Sequence, residues 1–529
     1  MVKRFRNIAF ATGTACLLLP LIAAAQAPTL RTVRVEGNTL LPESELAGLT
    51  AASAGTALDL PALTALAARI QGAYRAAGYG GVVAYVPAQE SQDGAVVVRV
   101  VEGKLAAVRI DGNAHFSTAN VRAALAHLRD GATPLVRAVD RDIQLSNSNP
   151  AKHVSVSLTA GARPGEIDAV VKVADRQPLQ YLVGYNNTGN AMTGRHRVSV
   201  GIEHANLFER DHVGTLQYQT SPENPERVRI FSAGYRLPLY AHAASFDAFA
   251  AHSTVSNGTT ATTAGPLTFT GRGTIVGLRA NRHLDRIGEY DHQLTIGIDR
   301  RRYKDDCAIG DFGAAGCGSA AVDVGTVPLS LAYTGQKGNA TIAYGFNAAL
   351  SVNAGGSAAP TFDAARAGAK RHYALARVAA FVQKPGPAKL TLNARVETQY
   401  SAHALIAAEK FGIGGSASVR GFAERELSGD SGVLLRAEAA AASIELAPGT
   451  GLRPYVFVDH GRVANRGMLP CRGLAETACH LTGAGIGARL SLSARQRASA
   501  SLDVARAMED GASSARGDVR AHLALNVAF

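Results

Sequence analysis

Residues 389–400 read KLTLNARVETQY and residues 519–529 read VRAHLALNVAF. In the first stretch Leu390, Leu392, Ala394, Val396 and Tyr400 alternate with Lys389, Thr391, Asn393, Arg395, Glu397 and Gln399. In the second, Val519, Ala521, Leu523, Leu525, Val527 and Phe529 alternate with Arg520, His522, Ala524, Asn526 and Ala528. Period two puts every apolar residue on one face of a strand. One apolar and one polar face sustained over about ten residues is the pattern of a strand with lipid on one side and water on the other. Strands of soluble sandwiches alternate too, but they are usually shorter.

Sixteen such stretches follow one another from residue 177 to the end: 179–187, 195–203, 211–220, 227–237, 243–254, 268–281, 289–303, 321–334, 339–353, 370–384, 388–401, 432–445, 452–461, 481–494, 497–507 and 516–528. An even number closes into a barrel with both chain ends on one side. The connections near 255–267, 304–320, 354–369, 402–431 and 462–480 are long, whereas Gly335–Gly338 and Lys384–Pro387 are tight turns. The expected fold of 177–529 is therefore a 16-stranded antiparallel transmembrane β-barrel, with long loops on the extracellular rim. No window of eighteen consecutive apolar residues follows the N-terminal segment, so no membrane helix is expected. The aromatic content runs against the barrel: the chain has no Trp and is only 6% aromatic, so fifteen Tyr and sixteen Phe must supply a thin interfacial girdle.

Ahead of the barrel the reading changes. Lys3, Arg4 and Arg6, then the apolar run Ile8–Ile22, then Ala23-Ala24-Ala25 make a secretory signal over 1–25. Cys16 lies inside the apolar run, which argues against a lipoprotein. Val33-Arg-Val-Glu-Gly-Asn38 recurs in type as Val108-Arg-Ile-Asp-Gly-Asn113. Each copy precedes a helical pattern. Leu60, Leu63, Ala67, Ile70 and Tyr74 form one helix face, and Val82–Val86 and Val96–Val101 are β-branched runs around a Ser-Gln-Asp-Gly turn. The second copy repeats the order through 121–128, 136–145, 154–158 and 167–173. Two small α+β modules are expected over 26–103 and 104–176, each with an open sheet edge able to accept an extended peptide.

Export would place the four remaining cysteines, Cys307, Cys317, Cys471 and Cys479, where disulfides persist. Three pairings are open; Cys307 with Cys317 and Cys471 with Cys479 close the shortest loops, both on the long-loop rim. Their spacing does not make a metal site. Removing Lys3, Arg4 and Arg6 with the signal lowers the net charge from +12 to +9, which is compatible with an acidic ligand or lipid surface and specifies neither. There is no phosphate loop and no H-E-x-x-H motif, and Gly483-Ala-Gly485-Ile-Gly487 lies in a strand pattern. Gly429-Asp-Ser-Gly432 is similar to a serine-protease nucleophile motif but sits in a loop tail. No enzyme activity, catalytic residue, metal or cofactor is expected, and no nucleic-acid partner.

Two further motifs stand among the strands: Gly414–Phe422, GGSASVRGF, and Phe457–Gly461, FVDHG. An arginine enclosed by small residues can be buried only against a carboxylate. Asp459 is the candidate. Val456 and Val458 suit the lipid face, so Arg453, Tyr455, Phe457 and Asp459 take the lumen face.

The paired modules resemble POTRA domains. Together with the signal, the sixteen strands, Val419-Arg420-Gly421-Phe422 in the sixth loop (402–431) and Phe457-x-Asp459-x-Gly461 two strands on, the whole chain resembles two-partner secretion transporters, the TpsB group of ShlB/FhaC/HecB-type haemolysin secretion/activation proteins. The resemblance implies an outer-membrane pore of a Gram-negative bacterium, monomeric, with POTRA domains in the periplasm. Its partner would be one large exoprotein with an N-terminal secretion domain, an adhesin, cytolysin or contact-dependent toxin, recognised by the POTRA domains and secreted unfolded. It also implies that Arg420 pairs with Asp459 to hold the sixth loop in the lumen. The terminal Phe529 would be read by the barrel-assembly machinery, with outer-membrane lipid around the barrel. Related transporters often begin with a plug helix; here the first POTRA strand starts near Leu30, so closure of the pore is expected to fall to the sixth loop. The competing readings are an assembly factor, which typically carries more than two POTRA modules, and a passive porin, which needs none.

Overall fold

A computed structural model describes residues 29–529 apart from 91–92, 192, 256–257, 270–271, 305–321, 468–469, 472–475 and 493–496. The expected signal (1–25) and the pair Cys307 and Cys317 lie outside the described residues. The chain divides into two compact units, one ending at Ala77 and taking up Val82–Glu102, the other holding Gly78–Gly81 and everything from Gly103 onward.

The first unit runs β1 (Thr32–Glu36), α1 (Glu43–Ala51), α2 (Leu60–Ala77), β2 (Val82–Tyr85) and β3 (Ala95–Glu102), with β3 central, β1 parallel to it and β2 antiparallel. Helix α2 buries Leu66, Ala67, Ile70 and Tyr74. Leu60, expected on that face, is 77% exposed because it opens the helix at the margin of the stripe. The second module repeats the plan as β4 (Lys104–Asp111), α3 (Thr118–Ala124), α4 (Val136–Asn147), β5 (Lys152–Ala160) and β6 (Glu166–Asp175), with β6 central. Helix α3 stops short of the expected Leu128 because Leu125 leaves helical geometry, sending Leu125 and Leu128 into the module core.

The repeated Gly-Asn has a physical cause. Gly37 and Gly112 have φ of 87° and 88°, and a side chain at either would run into the carbonyl oxygen of Val100 or Val173. The following turn is then tied to the last strand: Glu102 accepts from the N–H of Thr39 (2.7 Å) and Leu40 (3.0 Å). Asp175 accepts from the N–H of Ala114 (3.0 Å), His115 (2.8 Å) and Phe116 (2.9 Å).

From Leu179 onward the strands are β7 (Leu179–Asn186), β8 (Arg197–Leu207), β9 (His212–Thr220), β10 (Arg229–Leu239), β11 (Ala244–Ser253), β12 (Gly258–Thr262), β13 (Gly265–Phe269), β14 (Arg272–His283), β15 (Asp291–Lys304), β16 (Val324–Gly338) and β17 (Ala343–Gly356). After α5 (Ala359–Ala365) come β18 (Ala374–Pro385), β19 (Thr391–Tyr400), β20 (Phe411–Ile413), β21 (Leu427–Gly429), β22 (Ser431–Ala440), β23 (Ile444–Ala447), β24 (Thr450–Ala464), β25 (Ala478–Leu492), β26 (Arg497–Ala507) and β27 (Val519–Ala528). Sixteen of them close an antiparallel barrel in which β27 pairs with β7, and β23 prolongs β22 along β24. The pairs β12–β13 and β20–β21 stand apart as two-stranded sheets inside the third and sixth long-rim loops. The expected stretch 268–281 therefore begins at Arg272, since 268–269 belong to the β12–β13 hairpin. Residues 255–267, expected as plain loop, carry most of that hairpin. Within the sixth loop the wall resumes at Ser431.

The two faces of the wall differ as the alternation requires. Val456 and Val458 are 55% and 47% exposed on the outside, while Asp459 between Val458 and His460 is fully buried. Rings cluster at the short-turn rim, where Tyr290 stacks 5.9 Å from Tyr344 and Tyr333 lies 6.5 Å from Phe346. The second module grips the same rim. Lys152 Nζ is 2.5 Å from Asp211 Oδ2, Tyr240 donates its hydroxyl to that carboxylate at 2.5 Å, and Arg141 meets Asp285 at 2.6 Å. The turns at Asp211 and Asp285 thus hold the module, Tyr240 of a third turn braces Asp211, and the long loops lie at the opposite end.

Candidate functional site

The sixth loop, 401–430, does not stand above the barrel. Its β20–β21 ladder carries the tip, 414–426, against inward-facing side chains of β22, β24 and β26. The tip packs on Ile413, Leu427, Leu434, Val463 and Leu481 through Val419 and Phe422, both fully buried. Gly461 leaves the space that Ile413 and Val419 fill. Gly421 has φ of 98°, and a side chain there would press on the β26 backbone at Arg506 and Ala507, 3.1 Å away.

Arg420 is fully buried. Its Nε donates to Asp459 Oδ2 at 2.6 Å and its Nη2 to Oδ1 at 2.8 Å, a fork-to-fork pair. The backbone N–H of Arg420 adds a bond to Oδ2 at 3.2 Å, and Nη1 reaches Glu438 at 3.1 Å and Asp503 at 3.3 Å. The guanidinium also lies 3.3 Å from the ring centre of Phe457. Arg436 touches Asp459 at 3.4 Å, Arg489 holds Glu438 at 2.8 Å, and Tyr455 donates its hydroxyl to Asp503. Three guanidinium groups thus face three carboxylates, and the burial of each charge is compensated. The N–H of Gly421 reaches His522 Nε2 at 3.3 Å, bringing β27 into contact with the tip.

The loop is also fixed at its root. Glu409 takes Arg301 of β15 at 2.9 Å and the Tyr303 hydroxyl at 3.2 Å. Asp430 takes both Nη atoms of Arg366 (2.5 and 3.1 Å) and the N–H groups of Leu405 and Arg466 (2.9 and 2.8 Å). The Gly429-Asp-Ser-Gly432 motif is thereby a loop clamp, in which Ser431 Oγ accepts the Ser401 N–H at 3.1 Å. Glu426 ties the tip to the eighth loop through the N–H groups of Ser513 (2.7 Å) and Ser514 (2.8 Å). Cys471 and Cys479 are disulfide-bonded, with Cα atoms 6.2 Å apart, and Cys479 packs beside Leu481 in the same cluster. Phe529 closes the β27–β7 seam, bonding Tyr181 through both backbone groups with its ring 5.9 Å away.

Sequence reading singled out Arg420 and Asp459 but missed Glu438, Asp503, Arg436, Arg489 and His522. Strand parity places Arg436 and Asp503 on the lumen face, since Leu435 and Ala437 face outward around Arg436 and Leu502 and Val504 flank Asp503, but it does not say which inward charges meet. It also missed a second inward element. The third-loop hairpin, β12–β13, runs down the lumen side of β10, where Arg236, held by Asp247 at 2.7 Å, donates to the Thr263 carbonyl at 2.6 Å.

Comparison with known proteins matches the model "Haemolysin secretion/activation protein ShlB/FhaC/HecB" over residues 165–490 and "POTRA domain, ShlB-type" over 29–103. Among curated proteins, the heme/hemopexin transporter protein HuxB of Haemophilus influenzae is 27% identical over 164 residues, which are 31% of this chain and 29% of that protein. That match thus spans under a third of the relative's length. The outer membrane transporter CdiB of Escherichia coli is 23% identical over 480 residues, 86% of this chain and 77% of that one. The solved structure of CdiB from Escherichia coli superposes with a TM-score of 0.77 at 19% identity, covering 97% of this chain and 93% of that one. The barrel, the POTRA module and a family model spanning more than half of the residues converge: the chain belongs to the ShlB/FhaC/HecB family of haemolysin secretion/activation proteins, the two-partner secretion group of outer-membrane β-barrels.

Proposed function

We propose that this protein is the pore for one large exoprotein, taken up unfolded by the periplasmic POTRA domains and released at the cell surface, and that Arg420 is the latch of its gate. The observation that carries the reading is the ion network that holds a loop tip inside the lumen. A loop fixed only by apolar packing would be hard to displace and restore, whereas a compensated charge cluster can exchange partners with an incoming polar chain or water. On this reading the tip, packed inside the wall, moves aside for transport. Open sheet edges at β2 and β5 suit pairing with an extended partner, and Phe529 at the seam suits recognition by the barrel-assembly machinery.

The test is secretion of the cognate exoprotein by Arg420→Ala and Asp459→Ala variants, with barrel assembly checked by heat-modifiable gel mobility. Impaired export together with raised single-channel conductance is expected. Wild-type export and conductance in both variants would remove the gate from the mechanism. Deletion of residues 29–176 separates the pore from a porin: export is expected to stop, whereas a porin would keep its small-solute flux.

A further inference from the structure

Strand β15 carries three consecutive arginines on two sides of the wall. Arg301 points into the lumen and holds Glu409 and Asp299, at 2.9 and 2.6 Å. Arg300 and Arg302 point outward, in register with Val276 and Thr274 of β14. Lys304, next on the same face, opposes Arg272. Four cationic side chains therefore share the outer surface of two neighbouring strands near the long-loop rim. Immediately below them the outer face turns apolar: Leu278, Ile298, Ile296 and Leu329 are 56, 44, 64 and 42% exposed. Along β15 the change falls between Ile298 and Arg300, which is where a lipid tail region would give way to headgroups.

The same place is concave. At Thr326/Pro328 the register of β16 against β17 slips by a bulge. A groove of about 820 Å³ opens there, lined by Leu278 and Ile298 below, by Val276 level with Arg300, and by Arg302 and Asp323 above. Arg302 has a loose, exposed contact with Asp323 at 3.4 Å. Arg300 has no ion pair among the described residues. At the headgroup level an exposed arginine such as Arg300 is tolerated, and an anionic membrane component there gains a charge-assisted partner.

We infer that this groove binds a phosphorylated glycolipid of the outer leaflet, of the lipid A class, with Arg300 and Arg302 on a phosphate and acyl chains along Val276, Leu278 and Ile298. Arginine suits the task because its planar fork engages two phosphate oxygens at once. The leaflet follows from the position of the groove at the rim opposite the POTRA-bound turns. Because β15 also carries Arg301, the lipid site and the root of the lumen loop share one strand, on alternate residues.

The experiment is lipid binding to the full chain in detergent, read by native mass spectrometry, with diphosphorylated lipid A, monophosphorylated lipid A and phosphatidylglycerol as probes. Diphosphorylated lipid A is expected to bind most tightly. An Arg300→Gln/Arg302→Gln variant should lose about tenfold or more of that affinity, as the removal of charge-assisted bonds predicts. Arg462→Gln, elsewhere on the outer wall, should leave it unchanged. Unchanged affinity in a folded double variant would overturn the proposal, as would phosphatidylglycerol binding as tightly as lipid A. Arg302→Gln alone repeats the test should the double variant fail to assemble, with an intermediate loss expected and no loss counting against the site.

Discussion

The tip of the sixth loop and the turn after β1 of a POTRA module are built from the same parts. Each has a glycine in left-handed geometry, Gly421 or Gly37, and a carboxylate from a distant strand, Asp459 or Glu102, that gathers the turn. In the POTRA turn the carboxylate accepts backbone N–H groups and stays partly solvated, so no cation has to be buried. At the loop tip the carboxylate must also compensate a guanidinium with no access to water. The first arrangement stabilises a fold. The second seats the tip on matched buried charges, Arg420 against Asp459, Glu438 and Asp503.

The comparison is broken most strongly at Asp459. Asp459→Ala strands Arg420 beside Glu438 and Asp503 alone, and loss of one member of a buried pair costs about 3–5 kcal/mol. The expected outcome is a tip that leaves the lumen, seen as raised conductance and as protease cleavage within 414–426. Next is Asp175→Ala in the second POTRA module, which orphans three N–H groups at a cost of about 1–3 kcal/mol. Hydrogen exchange should then quicken at 114–116 while the conductance of the barrel stays at the wild-type value.

A smaller effect comes from pH. Burial pushes the Glu102 carboxyl up, but bonds from the Thr39 hydroxyl and backbone, the Tyr74 hydroxyl and the Leu40 backbone outweigh it and hold its pKa below the ordinary 4.5. A carboxylate with a lowered folded pKa adds stability that is complete above its unfolded value and is lost as pH falls through the folded one. Acidification below about 4.5 should therefore loosen 37–41, as read by hydrogen exchange, and Glu102→Gln should abolish that pH dependence. The smallest effect is expected from Arg236→Ala. In the gate it removes the bond to the Thr263 carbonyl and leaves Asp247 to Asn281, giving brief conductance flickers rather than a sustained opening.

Much of this molecule was legible in the chain because its code is local. Alternation over ten residues identified each wall strand, and the two Gly-Asn motifs announced the modules, since a left-handed turn before a strand-bound carboxylate constrains neighbouring residues. Strand ends were displaced where loops make structure of their own, as at 268–269, because a β-run reads the same in a hairpin as in the wall. Asp459 was found through its motif and its parity. Glu438, Asp503 and Arg436 lie on the same lumen face but in no motif, so nothing in their neighbourhoods marks them as one cluster.

Period two, net composition and repeat spacing thus determined that the chain makes sixteen strands after two α+β modules, and which residues of each strand face lipid. Only the tertiary structure decided which of the inward charges meet. Closing the barrel brings β22, β24, β26 and β27 around one loop tip, and three guanidinium groups and three carboxylates from distant positions become neighbours. Side-chain orientation is set by the backbone two residues at a time, whereas the partner of a buried charge is set by register across the whole wall.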